Sequence, residues 1–260
     1  MPSRSLTIIP IQAPVRQHTF DLDATIVEAL ATSGEALENG DVLAVSSKYA
    51  AISEGRVVAL AEVVVKPEAE ALAERYHLNP QLAQLIMEES DHIFGGIQGF
   101  LMTAHHGIIQ ANAGLDRSNI PPGYVVLLPK EPYQLAAKIR QAMRERLGVD
   151  IGVILTDSWL LPGRSGSSGV ALATAGFRPV LDERGKQDLF GNKMQVTQRG
   201  IADAICTCAQ LVMGERDEAT PIVIVRNTGV QLEDITISAA DASIDWRLDI
   251  YVESLTKGLL

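Results

Sequence analysis

Two short stretches carry the residue types that can do chemistry. The first is Ala111-Asn112-Ala113-Gly114-Leu115-Asp116-Arg117-Ser118-Asn119, in which Asp116 and Asn119 follow an apolar segment. The second is Thr156-Asp157-Ser158, which closes the run Gly152-Val153-Ile154-Leu155. Each presents a carboxylate followed by small polar groups at an expected strand end, where α/β arrangements hold their ligands. Two such ends can share one divalent cation, because hard cations take carboxylate and amide oxygens. An Asp-x-x-Asn loop can equally be an Asx-turn that satisfies its own backbone, and the pattern leaves both open.

Other segments add candidates, each with a plainer alternative. Ser46-Ser47-Lys48-Tyr49 follows the apolar Val42–Val45, so hydroxyls and one lysine can meet a phosphate or simply face solvent. Pro162 to Gly169 with Arg164 reads as an anion nest or a mobile linker. Neither a Walker A lysine pattern nor a Gly-x-Gly-x-x-Gly at a helix start is present. Met213-Gly214-Glu215-Arg216-Asp217-Glu218 puts acid at a helix C-terminus, against the macrodipole, which implies a nearby cation or a solvated loop. Glu88, Glu89, Asp91 and His92 read as a solvated helix end rather than a metal site. His105 and His106 are adjacent at a hairpin turn and point to opposite faces, which disfavours a shared metal. Cys206 and Cys208, two apart in a helical pattern, suit neither a disulfide nor a zinc site.

The elements that must position these residues follow from hydrophobic period and punctuation. Leu6 to Ile11 reads as an edge strand, and Asp23 to Leu37 as an amphipathic helix stopped at Asn39-Gly40. Helices start at Lys66-Pro67 and Asn79-Pro80, and Phe100–Thr103 pairs with Gly107–Gln110 as a hairpin. Tyr124–Leu128 is a strand, Tyr133–Leu147 a helix stopped by Gly148, and Val149–Leu155 a central strand. Thr197 is expected to cap a helix running through Val212, and Ile222–Arg226 is another buried strand. The sum is an α+β fold, mixed sheets with flanking helices, in one unit over 1–260 or in two lobes, without internal repeats.

With 260 residues, 47% of them hydrophobic, the chain can bury a sizeable core. A net charge of −10 argues against nucleic acid or an anionic membrane as partner, so any phosphate ligand needs local cations or metals. No apolar run approaches the ~20 residues of a membrane span, and the Pro-punctuated start does not read as a signal peptide. A cytoplasmic protein is expected.

Taken in order, Ser47-Lys48 through Glu54-Gly55-Arg56, the Ala111–Asn119 run, Thr156-Asp157-Ser158-Trp159, Arg184-Gly185-Lys186-x-Asp188-Leu189-Phe190-Gly191 and Met213-Gly214-Glu215 resemble the coenzyme F(420)-0:L-glutamate ligase family. The similarity runs from about Ile8 to Val225, and the Ala-Asn-Ala-Gly-hydrophobic-Asp-x-Ser-Asn run is its specific part. The resemblance implies a fold peculiar to that family in an intertwined homodimer, and a GTP-dependent ligase. The carboxylate of a deazaflavin precursor, coenzyme F(420)-0, would attack the γ-phosphate of GTP, and the amine of L-glutamate would open the resulting acyl phosphate to an amide. By the same resemblance Asp116 and Asp157 match ligands of one Mg2+ or Mn2+ ion, with Ser158 and Glu215 at a second. Pro10, Ile11, Gln12, Ser46, Lys48, Asn119, Met213 and Gly214 match nucleotide-contacting segments, and Arg164 joins Asp116 and Asp157 as a catalytic candidate. One segment departs: the family carries Gly-Arg-Pro-aromatic-Arg where this chain has Leu160-Leu161-Pro162-Gly163-Arg164, so one guanidinium is missing. Two alternatives therefore stand beside the first reading: the same mechanism on a different acid, and a catalytically inactive nucleotide-binding homologue.

Overall fold

The computed structural model describes residues 5–105 and 107–257. In chain order the strands are β1 (Thr7–Ile11), β2 (Val42–Ser46), β3 (Val57–Ala59), β4 (His92–Ile97), β5 (Phe100–His105), β6 (Ile108–Ala111), β7 (Tyr124–Val126), β8 (Gly152–Leu160), β9 (Ser167–Ala175), β10 (Val180–Asp182), β11 (Gln198–Gly200) and β12 (Ile222–Arg226). The helices are α1 (Leu22–Ser33), α2 (Ser47–Ser53), α3 (Pro67–Tyr76), α4 (Pro80–Glu88), α5 (Pro132–Leu147), α6 (Ile201–Met213) and α7 (Ile250–Lys257).

The central sheet has the order β1-β12-β2-β8-β9. Only β2 and β8 run parallel within it; the other neighbours are antiparallel. Its strands read as unbroken apolar runs because both faces are covered. Val42, Ala44, Ile154, Val223 and Val225 lie in one core with Ala202, Ile205, Cys206 and Ala209 of α6. The alternate residues Leu43, Val45, Val153, Leu155, Ile222 and Ile224 pack on the other face with α1 and α5, as the period of two requires. Pro10 is tolerated because β1 is an edge strand.

The stretch between β2 and β8 builds a second core from Leu82, Leu85, Ile86, Leu101, Val125 and Leu127. Its sheets are β4-β5-β6 and the pair β3-β7. Helix α5 then returns the chain to the central sheet; Pro132 opens it, and Leu135, Ala136, Ile139 and Met143 are buried while Leu147 is exposed. Beyond β12 the chain straps across both parts: Asp234 meets Arg140 at 2.8 Å and Arg144 at 2.9 Å, and Trp246 stacks on His92 at 5.0 Å.

Several elements differ from the sequence expectation. Helix α1 ends at Ser33 because Gly34 takes the left-handed cap, and Leu37 fills the core from the following loop. Strand β8 continues past Asp157 to Leu160, because β9 pairs with it as far as Leu160↔Ser167. The Ser/Gly-rich segment is thus the turn and first residues of a β-hairpin, not a nest or linker. Thr197 precedes β11 and does not cap α6, whose cap position is Gly200. His105 ends β5, and His106 lies outside the described residues. Among the described residues no helix is long and apolar enough to cross a membrane.

Candidate active site

Sheet register brings distant segments to one edge. Ser46, the last residue of β2, pairs with Thr156, so Asp157 emerges just beyond the end of its parallel neighbour. Ile11 pairs with Ile222 and Ser46 N–H donates to Pro221 O at 2.8 Å, which sets the start of β12 and the exit of β1 beside it. Ala13 N–H donates to Ala219 O at 3.0 Å, joining the two exits. Between these segments and the loop carrying Asp116 lies a cleft of about 390 Å³.

The Asp116 loop is held in an unusual shape. Asn112, Ala113 and Gly114 have φ of 51°, 54° and 70°, successive left-handed residues that cost ~1–2 kcal/mol each with a Cβ. Hydrogen bonds compensate: Leu101 N–H donates to Asn112 Oδ1 at 2.8 Å and Ala113 N–H to Thr103 Oγ1 at 2.9 Å. A Cβ at position 114 would meet Gln110 Oε1 and Leu128 Cδ1, each at 2.8 Å. The Asn-Ala-Gly part of the motif is therefore scaffold. It delivers Asp116, whose backbone exchanges hydrogen bonds with Val126 at 3.0 and 2.9 Å.

Of the two sequence readings of Asp116, the Asx-turn is realised. Its Oδ1 accepts from Ser118 N–H at 2.6 Å, an Asx-turn, while Oδ2 faces Lys48 Nζ at 2.7 Å. Lys48 also donates to Ser118 Oγ at 2.7 Å. Burial works to raise the Asp116 pKa, but the Lys48 charge and these hydrogen bonds outweigh it and hold the carboxyl below its ordinary value. Asn119, itself left-handed at φ 52°, reaches Glu215 O with its Nδ2 at 3.4 Å.

Asp157 is the opposite case. Burial pushes its carboxyl up to about 6; the Ser158 N–H at 2.9 Å restrains that rise and the charge of Asp116 adds to it. Its other oxygen accepts only a long bond from Trp159 Nε1 at 3.4 Å. Among the described residues no cation pairs with Asp157. One carboxylate is paired with lysine, and the other is desolvated and feels that lysine only as a minor, unpaired charge.

The loop after α6 forms the far wall. Thr220 Oγ1 donates to Met213 O at 2.8 Å and satisfies the helix end, while Glu215 accepts from Gln210 Nε2 at 2.6 Å. Those bonds satisfy part of the helix end and hold the Glu215 carboxylate beside it.

The structure brings Ser46, Lys48, Asp116, Asn119, Asp157, Ser158, Met213, Gly214 and Glu215 around the one cleft. It does not bring Pro10, Ile11 or Gln12 there: Ile11 is fully buried in the core, Pro10 and Gln12 are exposed, and residues 13–16 form that wall. Arg164 stands exposed in the β8–β9 turn, away from the cleft lining. Sequence reasoning missed Arg16 in the wall, whose only signal was its place just after the first strand; Tyr49 lies there too, within the Ser46–Tyr49 candidate stretch. Among the described residues no group of three or more His, Cys, Asp or Glu side chains forms a ready metal cage. Two carboxylates with a neighbouring hydroxyl instead fit a hard divalent ion such as Mg2+, which keeps waters or substrate phosphates as its other ligands.

Comparison with known proteins bears on this cleft. The family model described as F420-0:Gamma-glutamyl ligase matches residues 10–227. The coenzyme F420:L-glutamate ligase of Methanopyrus kandleri is 38% identical over 234 residues, covering 90% of this chain and 90% of its own. The enzyme of the same name from Methanothermobacter thermautotrophicus is 36% identical over 207 residues, covering 79% of this chain and 82% of its own. That from Halobacterium salinarum is 37% identical over 204 residues, covering 76% and 79%.

Proposed function

This chain belongs to the F420-0:Gamma-glutamyl ligase family, and from that membership and the cleft we propose that it forms an amide between L-glutamate and the carboxylate of coenzyme F(420)-0 at the expense of GTP. The observation that carries the reading is the carboxylate pair: Asp116 held by Lys48, and Asp157 raised to about 6 with no cation of its own.

Asp116 and Asp157 would hold one Mg2+ or Mn2+, with Ser158 and Glu215 at a second position. Bound there, such ions supply neutralisation of phosphate charge. The chain's own residues do the positioning. Lys48 supplies a point charge, and Ser46, Asn119 and Gly214 supply hydroxyl, amide and backbone donors to the triphosphate. A carboxylate oxygen of the acid attacks the γ-phosphorus as its bond to the β–γ bridging oxygen breaks, giving an acyl phosphate and GDP. The amine of glutamate then attacks the acyl carbon, phosphate leaves, and the amine gives up a proton. Orientation in a confined cleft serves both steps without a protein nucleophile. Cys206 is no candidate for one, since burial drives its thiol pKa upward.

A homodimer in the cytoplasm belongs to the same reading. Leu189 is 100% exposed and Phe190 89% exposed on the excursion between β10 and β11, an apolar tip that a second copy would cover. The unpaired Cys206 and Cys208 fit a reducing compartment.

A ligase of the same mechanism acting on a different acid is the second reading. It is favoured by the position of Arg164 and the altered 160–163 segment, which form an exposed turn rather than a cleft wall. Incubation with GTP, Mn2+, L-glutamate and the deazaflavin precursor, followed by mass analysis, separates them. A product heavier by one glutamyl unit supports the first reading; GTP turnover only with another acid supports the second; GTP binding without turnover under any acid leaves the inactive homologue.

A further inference from the structure

The cleft contains cations that differ in how they are engaged. Lys48 pairs with Asp116 and donates to Ser118 in this structure. Arg216 is highly exposed and lies 3.7 Å from Asp217. Arg16 is different: among the described residues no carboxylate pairs with its guanidinium, although Asp116, Asp157 and Glu218 line the same cleft. The Tyr49 hydroxyl interacts with the Arg16 side chain, but among the described residues the buried Nε of Arg16 has no acceptor. A buried donor without a partner is rare and costly, because its bond to water has been given up for nothing.

The side chain is nonetheless placed. Its guanidinium lies over the Phe20 ring, 5.3 Å from the centroid, and Phe20 packs on Tyr49 with centroids 4.9 Å apart. The backbone beneath it is fixed at both ends of the turn. Tyr49 Oη donates to Pro14 O at 2.9 Å, and Ala13 N–H donates to Ala219 O. Arg16 thus has a rigid aromatic backing, a cleft in front, and an unused donor on a planar fork suited to oxyanions.

We propose that Arg16 is a substrate-binding residue, clamping a phosphate or carboxylate oxyanion of a ligand seated in the cleft. The inference rests on the ligase reading, in which both kinds of anion enter this cleft, and it assigns to Arg16 the guanidinium role that Arg164 does not occupy. Nucleotide phosphate and acid carboxylate are two sources of one chemistry, and binding separates them.

The test is calorimetric Kd for GTP with Mn2+, and for the deazaflavin precursor, on the full chain and on Arg16→Met and Arg16→Lys. Far-UV circular dichroism and Tm establish that each variant is folded. Loss of one charge-assisted contact predicts a Kd about 10- to 100-fold weaker for one ligand in Arg16→Met, with partial rescue in Arg16→Lys. A shift confined to GTP assigns the anion to the nucleotide; a shift confined to the precursor assigns it to the acid substrate. Unchanged Kd for both ligands in folded Arg16→Met overturns the inference, as does equal weakening of both in proportion to lost stability. Absence of turnover in the unaltered protein would count against the ligase reading alone, since these Kd values are read without it.

Discussion

Replacing Asp157 by asparagine should stabilise the metal-free protein while ending its chemistry. Burial lifts the carboxyl from 3.8 to about 6. Each unit corresponds to about 1.4 kcal/mol, so ionised Asp157 is disfavoured by roughly 3 kcal/mol relative to its neutral form. The sign follows from the raised folded-state pKa: the stabilising contribution of the protonated group is full below about pH 4 and is lost as pH rises through about 6. At pH 8 the unaltered protein carries the whole penalty, and asparagine carries none. Asparagine offers one acceptor oxygen where the carboxylate serves both Ser158 N–H and Trp159 Nε1, which returns ~1 kcal/mol, and solvent screening of the partly enclosed group trims the gain further. The net is about 2 kcal/mol, or roughly 4–8 °C in Tm for a chain of this size. Thermal melts in EDTA at pH 8 and pH 4 read it directly: the variant melts higher at pH 8, and the advantage vanishes or reverses at pH 4. Millimolar Mn2+ at pH 8 should raise Tm of the unaltered protein and leave Asp157→Asn where it was. A variant that melts lower than the parent at pH 8, or by the same offset at both pH values, would refute the reasoning.

Other perturbations separate site from scaffold. Asp116→Asn removes the charge opposite Lys48 at nearly constant volume; turnover should fall at least ~100-fold with Tm within a few degrees, and unchanged turnover would take Asp116 out of the site. Asp41 is 2% exposed and binds Arg226 through both oxygens at 2.9 Å, far from the cleft. Asp41→Ala should cost about 2–3 kcal/mol in urea unfolding, because half-buried Arg226 loses its bidentate partner and keeps only the exposed Glu38 carboxylate and Ala36 O, while the activity of the remaining folded enzyme is unaltered. Replacing Leu189 and Phe190 together by aspartate should shift sedimentation from dimer toward monomer at micromolar concentration; an unchanged profile would remove that tip from the interface.

Asp116 and Asp157 were legible in the sequence because each follows an apolar run into a cluster of small polar residues. What makes them neighbours was not legible. Their adjacency depends on β2 pairing parallel with β8 across more than a hundred residues, and on β12 inserting between β1 and β2, and no local pattern encodes either choice. The start of β9 was misread for a related reason. Ser167, Ser168 and Gly169 have low strand propensity, yet position 169 passes so close under α6 that a Cβ would meet Cys206 O at 2.5 Å. Glycine there answers a helix packed on the sheet rather than a flexible loop. Arg164 had only the family resemblance behind it, and Arg16 had no signal beyond its place after the first strand, since its distinction is an unpaired donor visible only once Phe20 and Tyr49 are in place.

The most direct test of the proposed chemistry follows oxygen. With the precursor carboxylate labelled in 18O, GTP, Mn2+ and L-glutamate, an acyl-phosphate route transfers one labelled oxygen to the released inorganic phosphate for each amide formed. One 18O per phosphate, matched to glutamylated product by mass, is the predicted result. Amide formed with unlabelled phosphate would contradict the account.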